Sequence, residues 1–226
     1  MHKKIKLAKR NCFDDDEFIM SEIPFDSDTL VTAQKSSQTV YHINLDEEIG
    51  EPSKYRRVFD VLKNAYENDL IFLRINTLGG LLSTTIQLIQ YLDMCKATII
   101  GELYQAYSAG SAIALRCHEI IMSPHSSMMI HNMSTGAIGK IKDIKDSTDF
   151  NYKQSELFCE DMYEGFITED EMNSVKRGMD IYFDAKEIEK RLEIRSKYFE
   201  KKQKESIEEI KLPDDKVVKP RNKPKK

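Results

Sequence analysis

Residues 70–92 read LIFLRINTLGGLLSTTIQLIQYL, and this stretch decides the fold. Leu70 to Ile75 is a short apolar run interrupted only by Arg74, which suits a buried strand. Asn76-Thr77-Leu78-Gly79-Gly80 breaks it, and Leu81 to Leu92 resumes as a helix with Ile86, Leu88, Ile89 and Leu92 inside. A strand passing through a glycine turn into a helix is half of a βαβ unit.

The same alternation extends in both directions. Upstream, Val40, His42 and Asn44 alternate with Tyr41, Ile43 and Leu45 as in a strand, and Gly50 and Pro52 punctuate its end. A helix follows near 52–67, with Tyr55, Val58, Phe59, Leu62 and Ala65 at helical spacing. Downstream, residues 97–103 form an apolar, β-branched run, and Ala109 to Leu115 is small and apolar enough for a buried helix. Alternating strands and helices predict an α/β fold with a mainly parallel sheet. Two short strands are expected at 119–122 and 128–131. Residues 138–166 then read as a charged helix carrying Ile141, Ile144, Leu157, Phe158 and Met162. Thr168 and Glu171 form a capping box for another helix, Gly178 can close it, and Asp184 to Glu187 cap a last one.

Composition narrows the function classes. The 226 residues are 40% hydrophobic and 9% aromatic, enough for a folded core. Lys and Arg number 34 against 38 Asp and Glu, a net charge of −4, so no nucleic-acid partner is expected of the surface as a whole. No run of 18 apolar residues predicts a membrane span. The basic start ends in Asp14-Asp15-Asp16-Glu17 without the apolar stretch of a secretory signal, so a cytoplasmic location is expected. Cys12, Cys95, Cys117 and Cys159 are scattered and read as free thiols. His118 and His125 near Cys117 lack companion ligands at usable spacing, so neither a metal nor a cofactor is expected. Residues 1–35 read as an N-terminal arm, 36–195 as the folded domain, and 196–226 as a charged, largely disordered tail with three prolines.

Three segments can supply nucleophilic chemistry. Gly79-Gly80 follows a strand and lets the backbone approach a ligand closely. Ser108 lies where a strand gives way to a small-residue helix, near free backbone N–H groups. His131 ends the strand Met128-Met129-Ile130-His131. A hydroxyl, a base and oxyanion donors are what acyl transfer needs. Taken singly, each has a bland reading: a helix cap, a structural histidine and a turn. The frame Ala106-x-Ser108-x-Gly110 also departs from the Gly-x-Ser-x-Gly elbow.

In order, Ile-Asn-x-x-Gly-Gly, Ala-x-Ser-x-Gly and Met-Ile-His resemble the ClpP-like serine peptidases of the crotonase-like superfamily. The resemblance spans about Tyr41 to Leu192. It implies a spiral of ββα units with a protruding handle at 138–166, and a triad of Ser108, His131 and Asp180. It also implies oxyanion donors from the backbones of Gly80 and Ala109. Asp180 is assigned from the layout Gly178-Met179-Asp180-Ile181-Tyr182-Phe183; Asp184 is the alternative, with a capping role of its own. The implied activity is serine endopeptidase cleavage of peptide or unfolded-protein substrates by a homo-oligomeric ring. Ile49-Gly50-Glu51-Pro52 and Met129-Ile130-His131-Asn132 resemble ClpP-related proteins of large bacteriophages, for which the location would be the host cytoplasm. Leu78 and Met133 replace family prolines in loops, and Met179 replaces an arginine used in ring contacts. The arm shows no match to the family's axial loops, so docking of an unfolding ATPase is not implied. A crotonase-type acyl-CoA enzyme and a catalytically silent scaffold subunit are the alternatives within the same fold.

Overall fold

A computed structural model describes residues 3–6 and 38–210, with side chains described from 38 to 205. The elements run β1 (Lys3–Lys6), β2 (Val40–Leu45), α1 (Arg56–Asn64), β3 (Leu70–Thr77), α2 (Leu82–Met94), β4 (Thr98–Tyr107) and α3 (Ala109–Ala114). They continue with β5 (Glu119–Ile130), α4 (Ile141–Tyr163), α5 (Glu169–Lys176), β6 (Ile181–Asp184) and α6 (Ala185–Ile210). The six strands form one mixed sheet in the order β1-β5-β4-β3-β2, with β6 also paired to β5.

Strands β2 to β5 are parallel, as alternation with helices requires. In β3, Ile71, Leu73 and Ile75 are buried while Arg74 and Asn76 are exposed, so one face of the strand meets the core. Leu88, Ile89 and Leu92 of α2 and Ile113 of α3 join the same apolar cluster. Gly110 lets α3 sit close to β3, since a Cβ there would lie 2.8 Å from Thr77 Cγ2.

The two short strands expected at 119–122 and 128–131 are one strand. Ser123-Pro124-His125-Ser126 looks like a turn in sequence, but side-chain bonds carry the strand through it. Ser126 Oγ donates to Leu103 O at 2.6 Å and accepts from Ser123 N at 2.9 Å, where the register to β4 shifts. β4 takes one edge of β5. β1 and β6 pair antiparallel along the other, at Glu119–Met122 and Ser127–Ile130 respectively.

The capping box forms as expected: Thr168 Oγ1 accepts from Glu171 N, and Glu171 accepts from Thr168 N. At the far end of α5, Gly178 N donates to Val175 O and Met179 N to Ser174 O. With Gly178 at φ 94°, this is a Schellman termination. Asp184 Oδ1 accepts from Glu187 N at 2.9 Å and caps α6. That helix continues to Ile210, past the boundary expected at 195. Residues 7–37 and 211–226 of the expected arm and tail lie outside the described residues, as does Cys12. Helix α4 starts in solvent, with Ile141 89% and Phe150 61% exposed, and enters the core only at Ser155, Cys159, Met162 and Tyr163. No helix among the described residues is long and apolar enough to cross a membrane.

Candidate active site

Because β3, β4 and β5 are parallel, the residues that follow them emerge on one edge of the sheet. Gly80 follows β3, Ser108 follows β4 and His131 follows β5. Ligand sites of parallel sheets lie beyond such carboxyl ends. There a cleft of about 460 Å³ is lined by Gly80, Ser108, Ala109 and His131.

Ser108 has φ 53° and ψ −116°, and it is the one non-glycine residue of positive φ among the described residues. Such a conformation costs about 1–3 kcal/mol and persists only where its surroundings fix it. Those surroundings are on both sides. Ser108 N donates to Met129 O at 3.0 Å, tying the serine to β5. Its carbonyl accepts from Ser111 N at 3.0 Å and from Ser111 Oγ at 2.6 Å. The result aims Oγ at His131, whose Nε2 stands 2.7 Å away.

Asp180 reaches the same place through register. Ile130 pairs with Ile181, so the next positions along the two antiparallel strands are His131 and Asp180. Asp180 Oδ1 lies 3.9 Å from His131 Nδ1, with the Asp180 side chain 48% exposed. That is close enough for charge attraction and too long for a hydrogen bond. Asp184 sits at the other end of β6, opposite Ser127, and its carboxylate is engaged in capping α6. Asn132 braces the pair: its Nδ2 donates to the Lys176 carbonyl at 3.4 Å, holding the end of α5 near the end of β5.

The glycine turn is shaped by Ile49. Ile49 N donates to Gly79 O and Leu81 N donates to Ile49 O, both at 2.7 Å. This parallel bridge turns the N–H of Gly80 away from Ile49. Neither the Gly80 nor the Ala109 N–H is taken by an acceptor among the described residues. A Cβ on Gly80 would fall 2.2 Å from Ile49 O, and one on Gly79 would fall 2.7 Å from Ser108 Cβ. Both positions therefore exclude a side chain.

The five expected residues, Ser108 with its neighbour Ala109, His131, Asp180 and Gly80, thus come from four separate parts of the chain to one locality. Sequence reading missed the opposite wall. Phe158, Cys159 and Tyr163 of α4 also line the cleft, whereas in sequence this helix reads only as a charged segment and a handle. A tyrosine among apolar positions near a helix end was the available signal, since a buried phenol needs a polar partner. Burial pushes the Cys159 thiol up to about 11, so it is protonated at neutral pH. His118 Nδ1 accepts from Ile99 N at 2.9 Å. No cluster of three metal-ligating side chains occurs among the described residues.

A protein-family model described as Clp protease matches residues 34–189. No curated protein matches the chain.

Proposed function

The chain belongs to the Clp protease family and is a serine-type endopeptidase, and on that premise we propose that Ser108, His131 and Asp180 are its catalytic triad. The carrying observation is the 2.7 Å approach of His131 Nε2 to Ser108 Oγ on a strained backbone at the mouth of a cleft. In the reaction, Ser108 Oγ bonds to the peptide carbonyl carbon while its proton passes to Nε2. The carbonyl oxygen becomes an oxyanion held by the N–H groups of Gly80 and Ala109. Collapse breaks the C–N bond, and His131 returns the proton to the leaving amine. Water then attacks the acyl-enzyme by the same route and frees Ser108. Asp180 faces Nδ1 at 3.9 Å, and its approach to hydrogen-bond distance when substrate binds holds the tautomer that leaves Nε2 free to accept.

The finer reading is a spiral of ββα units over 36–195, with α4 as a handle. The apolar residues that α4 exposes suit a homo-oligomeric ring acting on peptides or unfolded proteins. A cytoplasmic, phage-encoded origin belongs to the same reading. An acyl-CoA chemistry would use the two N–H donors but gives the Ser108–His131 contact no task.

A fluorophosphonate probe tests the assignment. The expected result is one probe per chain, attached at Ser108, no labelling of Ser108→Ala, and a native mass that is a multiple of the chain. Labelling of Ser108→Ala at the parental rate refutes it.

A further inference from the structure

Two buried hydroxyls lie behind the strained serine. Ser111 is fully buried and Tyr163 is 2% exposed. Ser111 Oγ donates to the Ser108 carbonyl at 2.6 Å, so its hydrogen is committed there. The 3.0 Å contact between Ser111 Oγ and Tyr163 Oη must then be a donation from the phenol. Burial pushes the Tyr163 pKa up, so the phenol keeps the proton that this bond requires. A relay results: Tyr163 O–H to Ser111 Oγ, and Ser111 O–H to the carbonyl of Ser108.

The Ser108 carbonyl belongs to the peptide unit whose other end is the Ala109 N–H. A peptide unit is planar, so fixing its oxygen fixes the direction of its N–H. A hydrogen bond accepted at the oxygen also polarises the unit and strengthens the N–H as a donor. The ordinary helical bonds to this carbonyl are 3.0 Å from Ser111 N and 3.4 Å from Ala112 N. The shortest is the added one from Ser111 Oγ. The relay begins on α4, on the wall of the cleft that Tyr163 lines.

We infer that Ser111 and Tyr163 are positioning residues, which aim and polarise the Ala109 N–H toward the oxyanion through the Ser108 carbonyl. This rests on the reading of Ser108 and Ala109 given under Proposed function. Neither residue touches substrate atoms through its hydroxyl. They act on the peptide unit from behind.

The test uses the full chain, with the rate of fluorophosphonate labelling, kcat and KM on p-nitrophenyl acetate, and the thermal midpoint. Losing an oxyanion donor outright costs about 10²–10³ in rate, and loosening its aim costs less, so Ser111→Ala should label about tenfold more slowly. Tyr163→Phe should slow labelling about threefold, as the first bond of the relay only reinforces the second. In both, kcat falls and KM stays. The double variant Ser111→Ala/Tyr163→Phe discriminates. Ser111→Ala strands the Tyr163 hydroxyl and lowers the midpoint, whereas the double variant strands nothing and regains it. Positioning requires that its labelling nevertheless stay about tenfold slow. A double variant that recovers midpoint and rate together overturns the inference and leaves a packing role. If the parent chain itself is not labelled at Ser108, the triad reading falls too. If the parent is labelled and all three variants match it, only this inference falls.

Discussion

Gly79→Ala is the sharpest perturbation of the site, because its effect can be worked from two distances and an angle. Gly79 has φ +110°, a region that side-chain-bearing residues avoid at a cost of about 1–3 kcal/mol. The new Cβ would lie 2.7 Å from Ser108 Cβ and 3.1 Å from Ser108 Oγ. Carbon atoms pack at about 3.5–4.0 Å, so the two must separate by roughly 1 Å. Ser108 cannot give way freely, since its N–H is tied to Met129 and its carbonyl to Ser111. A displacement of that size at reacting atoms costs about 10²-fold in rate. Fluorophosphonate labelling should therefore slow about a hundredfold, with a fall in thermal midpoint of roughly 5–10 °C for a chain of this size. Gly165→Ala is the control. It has φ +71° and a Cβ that would lie 2.8 Å from Tyr198 Cδ1, so it too meets a positive φ and a clash, but the clash is milder and its partner is on α6. It should lower the midpoint too and leave labelling within about threefold of the parent. Equal labelling by Gly79→Ala and the parent would refute the claim that this glycine sets the place of Ser108. Equal slowing by both glycine variants would show that stability loss, not geometry at Ser108, governs the rate.

Two further outcomes follow from the same contacts. Asp180→Asn should slow turnover about 10³–10⁴-fold if Asp180 holds the His131 tautomer, whereas Asp184→Asn should chiefly lower the thermal midpoint; steady-state kinetics beside melting curves separate the two, and equal kinetic effects would move the assignment. Glu171 is held at about 2, below its ordinary 4.5, first by the hydrogen bonds from Arg191 and then by those of the capping box. A lowered carboxylate pKa contributes stability that is whole above about pH 4.5 and is lost as pH falls toward 2. Glu171 is partly exposed, so solvent screening leaves a contribution of about 1–2 kcal/mol. Urea midpoints of Glu171→Gln and parent should differ at pH 6 and converge near pH 2; a constant difference across that range would count against the pairing.

The fold was legible where one period persisted long enough. Strand β3 and helix α2 announce themselves through an apolar run, a double glycine and a helical stripe, and their boundaries lie within two residues of the reading. The capping box at Thr168 was equally plain, because its chemistry is local. Legibility failed where tertiary contacts replaced local signals. Ser123 to Ser126 carries every mark of a turn, yet Ser126 Oγ bonds across to Leu103 and keeps β5 continuous. β6 has four residues, too few for alternation to be read, and exists because the Schellman turn at Gly178 delivers it to the free edge of β5. β1 likewise depends on that edge.

The candidate site divides along the same line. Gly80, Ser108 and His131 each follow a strand, and parallel strands bring their carboxyl ends together whatever lies between them. Recognising the strands was enough to place the three segments at strand ends; their assignment as a site comes from the family resemblance. Asp180 needs one step more, since it reaches His131 only through the Ile130–Ile181 pairing of a strand that sequence periodicity does not reveal. Phe158, Cys159 and Tyr163 need the return of a long helix whose first half stands in solvent, and nothing in its periodicity says where it re-enters the core. Ser111 is harder still. In sequence it is one small residue among Ala109, Gly110 and Ala112, and its polar character matters only because a phenol from α4 arrives behind it. Groups placed by backbone topology are thus readable from strand order. Groups placed by helix packing are readable only from the buried polar atom that must find a partner.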